Sequence, residues 1–171
     1  MKSGGGKQKG NQFERNTCRA LSLWITGGKR EDVLWRTSMS GGRATVARKR
    51  GKSVKQDGDI SAIAAEGHIF SDNWFVECKF HKKLDIASLL ITNTGDLIKY
   101  WHVACREASH HKKFPMLIFK SNRMPTMVVV ATGAIEQFTR TPNFECPTII
   151  KPKCFDIWHF ETLLKTIWAR V

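Results

Sequence analysis

Acid is scarce at the start of this 171-residue chain: residues 1–55 carry 3 Asp+Glu against 14 Lys+Arg, a net of +11. Residues 56–171 carry 12 against 14, so the formal net charge of +13 comes almost wholly from the first third. A segment so poor in carboxylates points to a polyanionic partner, because lysines and arginines that neutralise phosphates release condensed counterions. A solubilising tail or a contact with an acidic membrane surface is the alternative. Long apolar runs are also missing, and none approaches the roughly 20 residues a membrane-spanning helix needs. Met1 to Gly10 is rich in Lys and Gly and has no apolar core, so no secretory leader is expected. Cysteines are few and odd in number (Cys18, Cys78, Cys105, Cys146 and Cys154) and scattered through apolar segments. That usage argues against a disulfide framework and for reduced, intracellular thiols. Cys146, Cys154 and His159 match no common zinc spacing. No internal repeat is present.

What is present centres on the run Trp74-Phe75-Val76-Glu77-Cys78-Lys79-Phe80. In a strand, side chains alternate between faces, so Trp74, Val76, Cys78 and Phe80 share one face while Glu77 and Lys79 share the other. A carboxylate and an ammonium on an apolar strand are costly to desolvate unless each has a partner or a task. They could simply pair with each other or across the sheet. Asp59 lies in a second strand-like run, Gly58 to Ala64, and residues 65–73 are enough to return the chain antiparallel. Asp59, Glu77 and Lys79 would then sit on neighbouring strands, arranged to hold a divalent cation against a phosphate. Asp57 competes with Asp59, but Ile60, Ala62 and Ile63 place Asp59 within the strand.

Residues 1–10 are expected to be a flexible basic N-terminus, followed by one domain over 11–171. Asn11 can cap a helix running to about Thr26 and stopped by Gly27-Gly28. On that helix Cys18, Leu21 and Ile25 follow Glu14 at helical spacing, which places Glu14 on the apolar stripe. Such a glutamate is satisfied by an arginine, or reaches a metal-bearing centre, or sits at the rim of a rotated helix. Val33 to Thr37 reads as a strand. Residues 38–55 are small, polar and basic, and cannot bury enough apolar area to order themselves, so a flexible loop is expected there. Its glycines would let backbone amides approach phosphates. A helical turn or two spans Asp85 to Leu90, and Thr94 can cap a helix to about Ala108. His110-His111-Lys112-Lys113 reads as a solvated turn. Pro115 to Phe119 and Thr126 to Ala131 read as buried strands. Residues 141–152 are irregular, and Phe160 to Trp168 form an amphipathic helix. The order predicts an α/β fold, a mixed sheet covered by helices.

A helix glutamate, an aspartate on a second strand and Glu-x-Lys on a third resemble the PD-(D/E)XK nuclease superfamily, most closely its Holliday-junction-resolvase branch. Carrying the likeness are Gly10 to Arg15, Arg36 to Gly42, Gln56 to Ile60, and Val76-Glu77-Cys78-Lys79. Gly58-Asp59 stands where that superfamily has Pro-Asp, and the loop between Ser40 and Asp59 is longer and more basic than in compact archaeal resolvases. The resemblance implies a restriction-endonuclease-like αβββαβ core and Mg²⁺-dependent hydrolysis of DNA, with Mn²⁺ able to substitute. It implies Asp59, Glu77 and the Cys78 carbonyl as metal ligands, Lys79 as the catalytic lysine, and Glu14 at a second metal or an outer-shell water. It also makes Arg15, Arg36, Ser38, Ser40, Arg43, Arg48, Lys49, Arg50 and Lys52 the contacts to DNA. Gln12 is a weaker candidate for such a contact. A four-way junction, a homodimer and a prokaryotic or phage-infected cell would be the setting. A restriction-type or general structure-selective nuclease, or a nucleic-acid binder without catalysis, are the alternatives.

Overall fold

The computed structural model describes residues 5–37, 58–92, 94–139 and 155–168. The chain divides into two compact units, Met1–Asp72 and Asn73–Val171. The expected loop over residues 38–55 and the irregular stretch over 141–152 lie outside the described residues.

In the first unit, helix α1 (Gly5–Ile25) packs on a two-stranded antiparallel sheet of β1 (Leu34–Arg36) and β2 (Ile60–Ala62). A short helix, α2 (Ala65–Ser71), closes the same core. Phe13, Cys18, Leu21, Leu34, Ile60 and Phe70 fill it, and the Trp24 ring meets Phe70 edge-on at 5.9 Å. The buried Leu34 amide donates to the Ser22 hydroxyl at 2.9 Å, which ties β1 to the helix. As anticipated, α1 stops at Gly27-Gly28. Both have positive φ, and the Gly28 amide bonds back to the Leu23 carbonyl at 2.7 Å. The helix begins earlier than expected, at Gly5 rather than beside Asn11, so residues 5–10 are helical. Once the packed turns nucleate it, extension through Lys7, Gln8 and Lys9 costs little per residue.

Residues 65–71 form α2 instead of a simple return, and β2 pairs with β1 while β3 pairs with β4. Among the described residues, this helix stands where a direct antiparallel return between the Asp59 and Glu77 strands was expected. The seven residues of α2 are sufficient for two helical turns, and burying Gly67, Phe70 and Ser71 favours that over a hairpin. Gly67 permits the close approach: a Cβ there would lie 2.4 Å from the Val33 carbonyl oxygen.

The second unit is a four-stranded mixed sheet ordered β3 (Trp74–His81), β4 (Phe114–Ser121), β5 (Met127–Ala131) and β6 (Phe155–His159). The β3–β4 pair is parallel and the other two are antiparallel. A parallel neighbour requires a long crossover. It is made by α3 (Ile86–Thr92) and α4 (Asp96–His111). Leu97, Ile98 and Trp101 of α4 pack on Leu117, Phe119, Met127, Val129, Phe155 and Ile157, one face of the sheet. The opposite face is buried too, at Val76, Met116, Ile118, Val128 and Val130. There Phe138 of α5 (Ala134–Thr139) lies 5.5 Å from Trp74. Burial on both faces explains why β4 and β5 read as unbroken apolar runs. This helix-flanked mixed sheet is a restriction-endonuclease-like α/β arrangement. The C-terminal helix α6 spans Phe160–Trp168 as expected.

Some boundaries differ. Gly95, at φ 100°, caps α4 in place of Thr94, and the helix runs on to His111. His110 and His111 therefore belong to its last turn, where His111 stacks on Phe75 at 5.7 Å. Strand β6 and helices α2 and α5 were not anticipated. Among the described residues, no helix is long and apolar enough to cross a membrane.

Gly67→Ala should lower the urea midpoint, because overpacking against Val33 of about 1–3 kcal/mol outweighs a helix-propensity gain of about 1 kcal/mol. Gly10→Ala, with nothing within 4 Å of the added methyl, should raise it.

Candidate active site

Strand β3 lies at one edge of the four-stranded sheet, and its alternation is the one expected. Trp74, Val76 and Cys78 are buried, while Glu77 and Lys79 are 17% and 28% exposed in their side chains. Register pairs Glu77 with Leu117 and Lys79 with Phe119, so both charged residues share the face on which α4 packs. Lys79 Nζ donates to Glu77 Oε1, and the two form an ion pair. The ammonium also lies over the Tyr100 ring of α4, 5.6 Å from its centroid. The His81 imidazole, next on the same face of β3, stacks on Tyr100 at 5.2 Å with an interplanar angle of 26°. The pair thus sits half-buried among apolar and aromatic groups, where charge interactions are stronger than in water.

In the first unit, Glu14 is half-buried at the margin of the α1 stripe, next to Phe13 and one turn before Cys18. Its partner is Arg36, whose Nε and Nη2 both lie 2.8 Å from Glu14 Oε2. Arg36 Nη2 also donates to Asn11 Oδ1 at 3.0 Å. Arg36, expected at a DNA phosphate, is therefore engaged within the protein. Of the open alternatives for Glu14, the arginine is what the structure supplies. Asp59 immediately precedes β2 rather than lying inside it. Thr37 fixes the turn from both sides: its amide donates to the Asp59 carbonyl and its hydroxyl to the Gly58 carbonyl, each at 2.9 Å.

Cys18 gathers these groups electrostatically. Burial first, then the negative charge of Glu14, push its thiol up to about 12; the Arg36 guanidinium opposes them, and Asp59 adds a smaller upward push. Cys18 is therefore a protonated, inert packing residue, and the donors around it are carboxylate oxygens.

The remaining assignments divide simply. Arg15 is exposed, with Nη2 3.4 Å from Gln12 Oε1. Ser38, Ser40, Arg43, Arg48, Lys49, Arg50 and Lys52, together with Cys146 and Cys154, lie outside the described residues. Among the described residues, no three His, Cys, Asp or Glu side chains are gathered as a metal-holding group. The set implied by the resemblance is Asp59, Glu77 and the Cys78 carbonyl, with Glu14 at a second ion or an outer-shell water. All of these are oxygen donors, which suit a hard cation such as Mg²⁺. Sequence reasoning missed Tyr100 and His81. Alternation carried past Lys79 would have placed His81 on the charged face, but nothing local marked Tyr100.

A helix-flanked mixed sheet presenting an acidic-x-lysine strand agrees with the PD-(D/E)XK class expected from the sequence. The family model described as "Phage putative PDDEXK endonuclease" matches residues 5–165, and the chain belongs to that family. No curated protein and no solved structure gives a significant match.

The Cys18 thiol, held protonated in the fold, contributes stability that is complete below its ordinary value of 9.0 and is lost as pH rises toward about 12. Urea midpoints measured across that window should fall more steeply for the wild type than for Cys18→Ala.

Proposed function

We propose that this protein is a Mg²⁺-dependent endodeoxyribonuclease whose substrate is branched DNA, a four-way junction above all. The observation that carries the reading is the half-buried Glu77–Lys79 pair on β3, in a chain of the PDDEXK family. By the resemblance, the carboxylates of Asp59 and Glu77 and the carbonyl of Cys78 hold the ion, with Mn²⁺ able to replace it. When bound, that ion supplies Lewis acidity and a water of lowered pKa. Lys79 then orients or deprotonates the attacking water, or stabilises the charge that develops on the phosphoryl oxygens. Glu14 completes the acidic set at a second ion or an outer-shell water. Its release from Arg36 would be needed for direct ligation.

DNA is held by the positive charge of the first 55 residues, through Arg15 on α1 and Arg43, Arg48, Lys49, Arg50 and Lys52 in the segment between β1 and β2, with the Ser38 and Ser40 hydroxyls hydrogen-bonding to phosphate. Paired nicks across a junction call for a two-fold dimer, and the setting would be inside a prokaryotic or phage-infected cell. The same net charge of +11 in residues 1–55 favours a second reading, a nucleic-acid binder that does not cleave.

Labelled four-way junction and linear duplex, incubated with and without Mg²⁺, separate these readings. The resolvase reading expects symmetrical nicks in the junction and little cutting of duplex. Equal cutting of both would mark a general nuclease, and salt-sensitive binding without cleavage in Mg²⁺ or Mn²⁺ a plain binder. Asp59→Asn and Glu77→Gln should each abolish cleavage while leaving DNA binding within a few-fold of wild type. Lys79→Ala should lose most turnover yet retain metal binding, read by calorimetric titration with Mn²⁺.

A further inference from the structure

Four side chains beyond the acidic-x-lysine pair, Phe75, His81, Tyr100 and His111, meet where α4 lies along β3. The odd-numbered face of β3 presents Phe75, Glu77, Lys79 and His81 in order. Helix α4 answers with Tyr100 at the Lys79–His81 end and His111 at the Phe75 end. Tyr100, Ala104, Glu107 and His111 follow one another at spacings of three and four, so they form one stripe of the helix. Tyr100 lies at the end of that stripe where the lysine is.

We propose that Tyr100 is a positioning residue for Lys79, its ring holding the ammonium beside Glu77 and itself kept in place by the stacked His81. This rests on the nuclease reading of Glu77 and Lys79. A lysine side chain loses up to about 2 kcal/mol of rotamer freedom when fixed in one geometry. The ion pair with Glu77 fixes only the tip, and that carboxylate has a second duty if it binds a metal. An aromatic face within about 6 Å of the nitrogen offers an attraction that survives when the carboxylate turns to another cation. At 5.6 Å the Tyr100 ring meets that distance. His81 flanks the same ring at 5.2 Å, which restricts how the ring can turn. The ring face, not the phenolic oxygen, does this work, so phenylalanine should serve and an aliphatic side chain should not.

The test compares Tyr100→Phe, Tyr100→Leu and His81→Leu with the wild type in two measurements. The first needs no activity: the ring-current shift of the Lys79 side-chain resonances by NMR, assigned with Lys79→Ala. The second is steady-state cleavage of labelled junction and duplex DNA in Mg²⁺. The proposal expects a shifted Lys79 resonance in wild type and Tyr100→Phe and its loss in Tyr100→Leu, with His81→Leu intermediate. It expects kcat to fall about 2- to 30-fold in Tyr100→Leu at unchanged KM, the range corresponding to a cation–π contact of about 0.5–2 kcal/mol. Phenylalanine should restore the wild-type rate. A wild-type Lys79 resonance without a ring-current shift overturns the proposal outright. So does an active wild type whose Tyr100→Leu variant keeps the shift or turns over as fast. If Tyr100→Leu fails to fold, His81→Leu decides: unchanged Lys79 resonances and unchanged kcat in it overturn the proposal. A shifted resonance in a wild type that cuts no DNA would instead sink the nuclease reading, and with it any catalytic purpose for the contact.

Discussion

The alternation of β3 is the constraint on which the site depends. Eight residues place Trp74, Val76 and Cys78 in one core and leave Glu77 and Lys79 on the face that α4 covers. A slip of one residue in the pairing with β4 would send the charged pair into the core occupied by Val76 and Met116. The parallel register with β4 is therefore fixed from both sides: apolar side chains are needed inward at every second position, and a carboxylate–ammonium pair must stay out of that layer. Residues of β4 buried on both faces hold the register rigidly. The strand that carries the pair can then sit at the edge of the sheet without losing its alignment.

The first unit solves a different problem, that of keeping a carboxylate on the inner side of a helix. Glu14 is half-buried and is matched by Arg36 from β1, which Asn11 steadies in turn. A partly buried pair of this kind adds little net stability, but removing one partner leaves the other charge exposed to a poorly solvating environment. The same neighbourhood keeps the Cys18 thiol protonated, so the first unit offers hard oxygen donors and an unreactive sulfur.

Much of this was legible in the sequence, and the reasons differ by element. The β3 face assignment followed from period-two alternation, and the end of α1 from consecutive glycines whose positive φ only they adopt readily. Leu97, Trp101, Ala104 and Ala108 marked α4 because helical spacing survives any uncertainty at its ends. What failed was decided by tertiary contact. Ala65–Ser71 holds a glycine and has no marked periodicity, and only its packing against Val33 and Leu34 makes it a helix. Phe155–His159 contains Asp156, a poor strand former, which is tolerated because Thr132 reaches its carboxylate at 3.3 Å. The Glu14–Arg36 contact joins residues 22 apart, and the Tyr100–Lys79 contact joins an element to one it precedes through a long crossover. Neither leaves a local trace.

That crossover has a consequence for biosynthesis. Lys79 and its acidic neighbour leave the ribosome well before Tyr100 does, and β4, which aligns their strand, comes later still. A growing polypeptide therefore carries Glu77 and Lys79 for some time without the helix and strand that arrange them, so the geometry of the pair belongs to the chain extended through β4 and not to shorter fragments.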